Sequence, residues 1–169
     1  MNKNTSIVAI YQSHKAVETA VKELKQSGLD MKKLSIIGHD YHTDDVVSYY
    51  NTGDRMKAWG ATGAFWGGLW GLLFGSAFFW IPSLGSLLVA GPLVSWIAGA
   101  LESAVVVGGL SVIGAALYSL GIPENSILQY EAALKTSKFI LLVHGYPNDT
   151  ILAKEILSHT KPETLDHHK

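Results

Sequence analysis

A stretch of 63 residues, from 58 to 120, carries a single charged side chain, Glu102. The rest of the chain is about one quarter charged, a normal value for a globular domain. All five tryptophans and 12 of the 17 glycines lie inside this uncharged stretch. We therefore expect two parts of different character: an ordinary α/β domain, and an apolar insert that interrupts it.

The segment before the insert predicts a β-α-β unit. Residues 6–11 and 34–38 are rich in β-branched and other apolar side chains, as buried strands are. Between them, Ser13 is placed to cap a helix whose apolar residues recur at helical spacing, and Gly28 is placed to end it. Two parallel strands joined in this way need further strands to be stable.

The segment after the insert predicts helix, strand and helix. Glycine at 121 ends one helix, and Pro123 with Glu124 opens the next. Residues 139–144 form an apolar run typical of a buried strand, and a last helix extends to about Leu157. With the N-terminal unit this order predicts an α+β fold, a small split ferredoxin-like α/β sandwich. The expected boundaries are 1–57, 58–120 and 121–160, followed by a flexible tail at 161–169.

The insert itself has the length and composition of a transmembrane-type helical hairpin. Residues 58–80 and 93–120 are each long enough, as helices, to cross the ~30 Å hydrocarbon core. Proline and glycine separate them, leaving a short connector at 83–90. Two spans return the chain to its starting side, as a split domain requires. The basic residues near the insert favour an inner membrane location with the termini and the α/β domain in the cytoplasm.

Small and aromatic residues repeat every four positions in the first span. Glycines at this spacing let a neighbouring helix approach closely, so we expect a glycine zipper that makes a homo-oligomer within membrane lipid. The predicted helix-packing residues are Gly63, Gly67, Gly71 and Gly75, with Gly99 and Gly108 in the second span. The predicted aromatic face comprises Trp66, Trp70, Phe74 and Phe78.

Few residues are candidates for chemistry. Glu102 is the intramembrane ionisable group, either on a functional path or at an interface that sets depth. His39 and His42 are weak candidates for metal ligands in an acidic segment. Tyr130 is expected in the core and His144 at a strand end, and Asp166-His167-His168 is a weaker ligand group still. We predict no cofactor and no catalytic residue.

Other function classes are disfavoured by composition. The chain has no cysteine, which removes disulfides, thiolate nucleophiles and cysteine-based metal sites. A net charge of -1 without a basic run argues against a nucleic-acid partner. Because no phosphate-binding loop, nucleophile elbow or metalloprotease motif is present, we do not expect an enzyme.

A family resemblance adds to this interpretation. The Leu-Ser-Ile-Ile-Gly strand at 34–38, the glycine-rich block, Gly-Ile-Pro-Glu at 121–124 and Gln-Tyr-Glu at 129–131 resemble the general stress protein 17M-like family. The resemblance covers most of residues 6–145 and implies a stress-associated protein with a membrane-embedded central segment. It implies no known activity. The dense tryptophans differ from the alanine, glycine and leucine expected in that family.

Three functions follow as hypotheses. The leading one is a non-enzymatic membrane-associated protein that self-associates through its glycine zipper and acts in scaffolding or membrane remodelling under stress. The second is a small oligomeric channel or transporter with Glu102 on the path. The third is a soluble oligomer that buries the hairpins and carries an apolar ligand.

Overall fold

The computed structural model describes residues 4–39, 76–81, 84–103 and 111–169. Its described strands form a six-stranded sheet of order β3-β4-β2-β5-β1-β6, in which all neighbours are antiparallel. A single 3-10 turn, Met31–Lys33, precedes β2. The elements in chain order are β1 (Thr5–Tyr11), α1 (His14–Gln26), β2 (Leu34–His39), β3 (Ser76–Ile81), β4 (Gly85–Ala90), α2 (Leu93–Ser103), α3 (Val112–Ser119), α4 (Glu124–Lys135), β5 (Phe139–Gly145), α5 (Pro147–Ser158) and β6 (Thr164–His168).

The four neighbouring strands β2, β5, β1 and β6 have the split arrangement that the sequence predicts. β5 lies between β1 and β2, the two strands that α1 connects, and β1 lies between β5 and β6, the two strands that α5 connects. This interleaving is that of a ferredoxin-like sandwich. The chain is therefore a mixed α/β fold. The second crossover helix of the ferredoxin-like arrangement is α5, which connects β5 and β6, and α4 is an additional helix outside that arrangement.

Helices cover both faces of the sheet. On one face, which we call the flank face, α1 and α5 pack on alternate residues of the strands, including Ile7, Leu141 and Val143. On the other face, the insert face, α2, α3 and α4 pack on the intervening residues, including Val8 and Leu142. Successive side chains of a strand point to opposite faces, so helices on both faces bury each central strand on both sides.

Local sequence explains where α1 begins and ends. The Ser13 side chain accepts a hydrogen bond from the Ala16 amide at 3.2 Å, which satisfies one of the free amides of the first turn. Two residues after the helix, Gly28 has a φ of +87°, a left-handed conformation that favours glycine. Both features agree with the prediction.

The last strand corrects the prediction of a flexible tail at 161–169. Thr164–His168 forms β6 and pairs with β1 from Ser6 to Ile10. Its side chains are mostly polar, which conceals a strand from hydropathy analysis. The physical reason lies in β1: this strand is buried on both faces, so the backbone groups on its second edge need a partner too.

The insert corrects the predicted helical hairpin. The end of the first expected span is strand β3, the expected connector is strand β4, and the two strands form a hairpin beside β2. In the second expected span, α2 has 11 residues and α3 has 8. At 1.5 Å per residue, such helices extend about 16 Å and 12 Å, well short of the ~30 Å of a hydrocarbon core. Across the described part of the chain, no helix combines the length and apolar character needed to span a bilayer.

The described insert elements belong to the same fold as the flanks. Leu87, Val89, Ile97, Ile113 and Leu117 are buried in one cluster with β1 and β5 side chains. The Glu131 carboxylate of α4 also accepts hydrogen bonds from the Ser111 amide at 2.9 Å and the Ser111 hydroxyl at 2.6 Å. The apolar composition that favours a membrane span is used, in these elements, to cover the second face of a sheet.

Candidate functional site: a polar row at one end of the sheet

Three polar side chains lie side by side where strands β5, β1 and β6 run together. Ser6 of β1 is directly opposite His144 of β5 on one side and His168 of β6 on the other. Directly opposed residues in antiparallel strands point to the same face. Ser6 and Val8 are two positions apart in β1, so they point to the same face, and Val8 is in the insert-face core. All three polar side chains therefore point to the insert face.

The serine and the first histidine are joined by a short hydrogen bond. Ser6 Oγ lies 2.7 Å from His144 Nδ1, and Ser6 is 2% exposed. The Trp96 indole of α2 and the His144 ring pack edge to face, with centroids 6.5 Å apart and planes at 70°. This imidazole is therefore held between β1 and the first helix of the insert face.

Tyr130 of α4 closes the other end of the row. Its side chain is 0% exposed, and its hydroxyl donates to Asp166 Oδ2 at 2.7 Å. The same oxygen lies 2.7 Å from His168 Nε2. A phenol has one proton to donate, so His168 Nε2 must carry the hydrogen of the second bond. The chain of donors runs from His168 through Tyr130 to the carboxylate of Asp166.

We call Ser6, Tyr130, His144, Asp166 and His168 the polar row. Burial is the largest influence on the pKa of its titratable groups for which a shift is resolved. It raises the pKa of Tyr130, in the same direction as the bond to Asp166, and lowers the pKa of His144. Burial also lowers the pKa of His168, although the Asp166 charge acts in the opposite direction. At neutral pH these groups are a phenol and two uncharged imidazoles.

His167 lies on the flank face of the same edge strand. It is opposite Ile7, whose side chain is in the flank-face core. His167 Nε2 is buried and has no hydrogen-bond partner among the described residues. Burial lowers the pKa of His167, and the positive charges of Lys154 and Lys169 lower it further. Strand β6 thus carries one histidine on each face, and in both burial disfavours the protonated, charged form of the ring.

The start of β6 is anchored by different groups. The Glu163 carboxylate accepts hydrogen bonds from Lys138 Nζ at 2.7 Å and from Gln12 Nε2 at 3.3 Å. The Glu163 amide donates to the Ile10 carbonyl oxygen at 2.8 Å. The bond from Lys138 lowers the pKa of Glu163. Charged and polar contacts of Glu163 therefore hold the N-terminal end of β6, whereas histidines and Tyr130 hold its C-terminal end.

The hydrogen bonds of the polar row hold several elements of the fold together. The Ser6, Tyr130 and Asp166 oxygens that form the row bond to other members of it. Among the described residues, no group of three or more His, Asp or Glu side chains is arranged to hold a metal ion. The polar row joins α4, β1, β5 and β6 at one end of the molecule.

The residues predicted from sequence are placed elsewhere. Gly99 is exposed in α2, and a Cβ added there meets nothing within 4 Å, so it makes no close helix contact with the described residues of the chain. Phe78 is on strand β3 opposite Leu88, which corrects its predicted place on a helical aromatic face. Glu102 is in the last turn of α2, and His39 ends β2 opposite Leu87. Outside the described residues lie Gly63, Gly67, Gly71, Gly75, Gly108, Trp66, Trp70, Phe74 and His42.

Sequence reasoning considers most members of the polar row singly and does not bring them together. Ser6 and His168 are 162 positions apart, and their contact depends on a strand pairing that no local pattern specifies. One signal was present. Asp166 and His168 are two positions apart, so they share a face if the tail is a strand. Predicting a strand there would have placed them on one side of a sheet.

Comparison with known proteins adds a family relation over part of the chain. Residues 6–79 match the family model described as the heat induced stress protein YflT domain. The match includes β1, α1, β2 and the start of β3, and it supports a relation to the general stress proteins. No curated protein and no solved structure matches the chain.

Proposed function

We propose that this protein is a non-enzymatic component of a stress response that associates with a second copy of itself through the insert. The family match over residues 6–79 suggests the stress-related role. The observation that carries the self-association is the outer surface of α2, which is exposed but has no charged side chain among its described exposed residues.

Helix α2 presents an unusual surface for a helix facing water. Trp96 is 43% exposed, and Ser95 and Gly99, one turn apart, are exposed beside it. A tryptophan next to small residues offers a large apolar side chain and a place where another helix can approach closely. In α1, by contrast, the exposed positions include Lys15, Lys22 and Lys25.

A second copy fits this surface because the surface is uncharged. In a two-fold dimer the same patch lies opposite itself, so a charged patch would place like charges together. Ser95, Trp96 and Gly99 avoid that repulsion, and burial of the Trp96 ring would contribute to the association.

The proposal of a non-enzymatic role is supported by how the polar row is used. A catalytic side chain must be within reach of a substrate. Ser6 and Tyr130 are 2% and 0% exposed, and the hydroxyl of each bonds to another side chain of the row, as does His168 Nε2. Their geometry is that of a structural tie.

The test is the mass of the particle in solution, measured by light scattering over a range of concentrations. Trp96→Lys places a charge on the proposed interface and should shift the particle towards the monomer. Leu128→Lys is the matched control, because Leu128 is 52% exposed on α4, outside the insert. Equal masses for the wild type and both variants would contradict the proposed interface.

Lipid is a second proposed partner of the insert. The supporting observation is that residues 58–75 contain no charged side chain. We expect the native chain to sediment with vesicles of mixed phosphatidylcholine and phosphatidylglycerol, and to remain there after a carbonate wash. Recovery of all the protein in the supernatant would contradict the proposal that lipid is a partner. Self-association is tested separately, by the mass of the particle in solution.

A further inference from the structure

We propose that β6 is an acid-released edge strand: protonation of the histidines on its two faces detaches it from β1 while the rest of the sheet stays folded. The device is made of Thr164–His168, the β1 edge that it covers, Tyr130 on one face and Lys154 on the other.

The position of β6 in the sheet favours its release. β6 is at one edge of the described sheet and has β1 as its neighbour. In contrast to β1, whose residues are buried, all five residues of β6 are partly exposed. An edge strand of this kind opens at lower cost than a central strand, because fewer contacts are lost.

His167 lies on the flank face of β6. Nε2 of this imidazole is buried without a hydrogen-bond partner among the described residues. The neighbouring charges that act on it, Lys154 of α5 and Lys169, are both positive. A proton added to His167 therefore adds a third positive charge to a site with no described acceptor for the buried nitrogen. Leaving the sheet restores water to the ring.

His168 lies on the insert face of β6. This ring is packed against the Tyr130 ring, with centroids 6.1 Å apart. The groups that face it are the Tyr130 hydroxyl, Asp166 and, beyond Ser6, His144. Asp166 favours the charged ring, but that carboxylate already accepts a hydrogen bond from the Tyr130 hydroxyl, and burial outweighs its attraction. β1 contributes no charged side chain to either histidine.

The two histidines also act on each other. A charge on His167 disfavours a charge on His168, since the rings are on adjacent residues of one strand. Both rings are in water once the strand is released, where neighbouring charges are screened. Acid therefore favours the released strand through both faces at once. The Glu163 contacts with Lys138 and Gln12 hold the first end of the strand, so opening starts at the His168 end.

Amide hydrogen exchange at single-residue resolution tests the proposal. The full-length protein is compared at about pH 7.5 and about pH 5, on either side of the ordinary histidine range, with rates corrected for the intrinsic effect of pH. We expect the protection of β6 amides to fall at least about tenfold at the lower pH. The β1 amides that face β6 should lose protection with it, while β5 amides keep theirs. Unchanged β6 protection, or equal loss in β5, would overturn the proposal.

Two variants identify the trigger. His167→Gln with His168→Gln keeps polar side chains that do not titrate, and it should retain β6 protection at the lower pH. His159→Gln is its control, because His159 is exposed beyond the end of α5 and should release β6 as the wild type does. Release of β6 in the double variant at the same pH as in the wild type would show that other groups drive it.

A variant outside the strand covers the case in which the double variant does not fold. Lys154→Gln removes one positive neighbour of His167 from an exposed helix position, so the midpoint of release should move to lower pH. Lys22→Gln, on an exposed position of α1, is the matched control. An unchanged midpoint in Lys154→Gln would contradict the charge argument.

Discussion

Helices α1 and α2 lie on opposite faces of one sheet and differ most on their outer surfaces. Both bury apolar residues: α1 uses Leu24 and its neighbours, and α2 uses Ile97 with Leu93. Outside, α1 exposes lysines, whereas the described exposed residues of α2 are serine, tryptophan and glycine. Apolar residues on the inner side explain docking to the sheet in both cases. The uncharged outer side of α2 is the basis of the proposed self-association.

The largest expected effect tests whether the two faces form one cooperative unit. Leu24→Ala on the flank face and Ile97→Ala on the insert face each remove a fully buried side chain. Each should lower the free energy of unfolding by about 2–5 kcal/mol. Denaturant titration followed by circular dichroism and tryptophan fluorescence measures both variants. A separate early transition in Ile97→Ala, with the flank-face transition unmoved, would mean that the insert face folds independently.

The next effect concerns the tie between the insert face and β6. Tyr130→Phe removes the hydroxyl that joins Asp166 and His168, leaving two partly buried groups without it. We expect a loss of about 1–3 kcal/mol in the free energy of unfolding. Tyr118→Phe is the matched control, since Tyr118 is 49% exposed and its change should have little effect. Equal free energies of unfolding for the two variants would contradict a stabilising role of the polar row.

Acid should weaken the fold through histidines on both faces. Burial lowers the pKa of His144, His167 and His168 below the ordinary value of 6.5 in the folded protein. The unfolded chain then binds more protons than the folded one as pH falls through 6.5, so the free energy of unfolding decreases. It stops decreasing, as far as these groups are concerned, once pH is below their folded values. Thermal unfolding from neutral pH to about pH 5 measures the slope. A flat or opposite dependence would contradict the burial argument.

The free energy of unfolding should also decline at alkaline pH, because two tyrosines are buried. Burial raises the pKa of Tyr11 from 10.0 to about 12, and Tyr130 is raised as well. Above pH 10 the unfolded chain loses these protons first, so stability falls as pH rises. Tyr11→Phe should make the decline shallower. Comparing its alkaline unfolding with that of the wild type tests the assignment.

The smallest effect sharpens the difference between α1 and α2. Gly99 is exposed in a helix, and a Cβ there meets nothing within 4 Å. Gly99→Ala should therefore raise the stability of the isolated chain by about 0.5–1 kcal/mol. Gly99→Leu should weaken self-association if the glycine allows a sister helix to approach closely. Reduced monomer stability in Gly99→Ala would show that the position is crowded.

The flanks were predictable because their strands are apolar runs with clear boundaries. Ser13, Gly28 and Pro123 mark helix ends by local chemistry, and the structure confirms these ends. The insert was not predictable in the same way. An uncharged run fits a membrane helix, a buried helix or a buried strand equally well. Residues 76–81 form a strand because they pair with β4. Tertiary partners decided the outcome.

The polar row was hidden for a related reason. Its members come from β1, α4, β5 and β6, and their meeting depends on the order of strands in the sheet. Asp166 and His168 are polar residues in a polar segment, so composition favours a loop there. The need of the buried strand β1 for a second neighbour is what turns that segment into β6.

Cross-strand nuclear Overhauser effects between β2 and β4 test most directly whether the insert is folded onto the sheet. Ile37 and Val89 are opposed in the register, as are Phe78 and Leu88 in the β3-β4 hairpin. We predict strong backbone contacts between the protons of each pair, in buffer or in mild detergent. Sequential helical contacts through residues 85–90, without any contact to Ile37, would contradict the account.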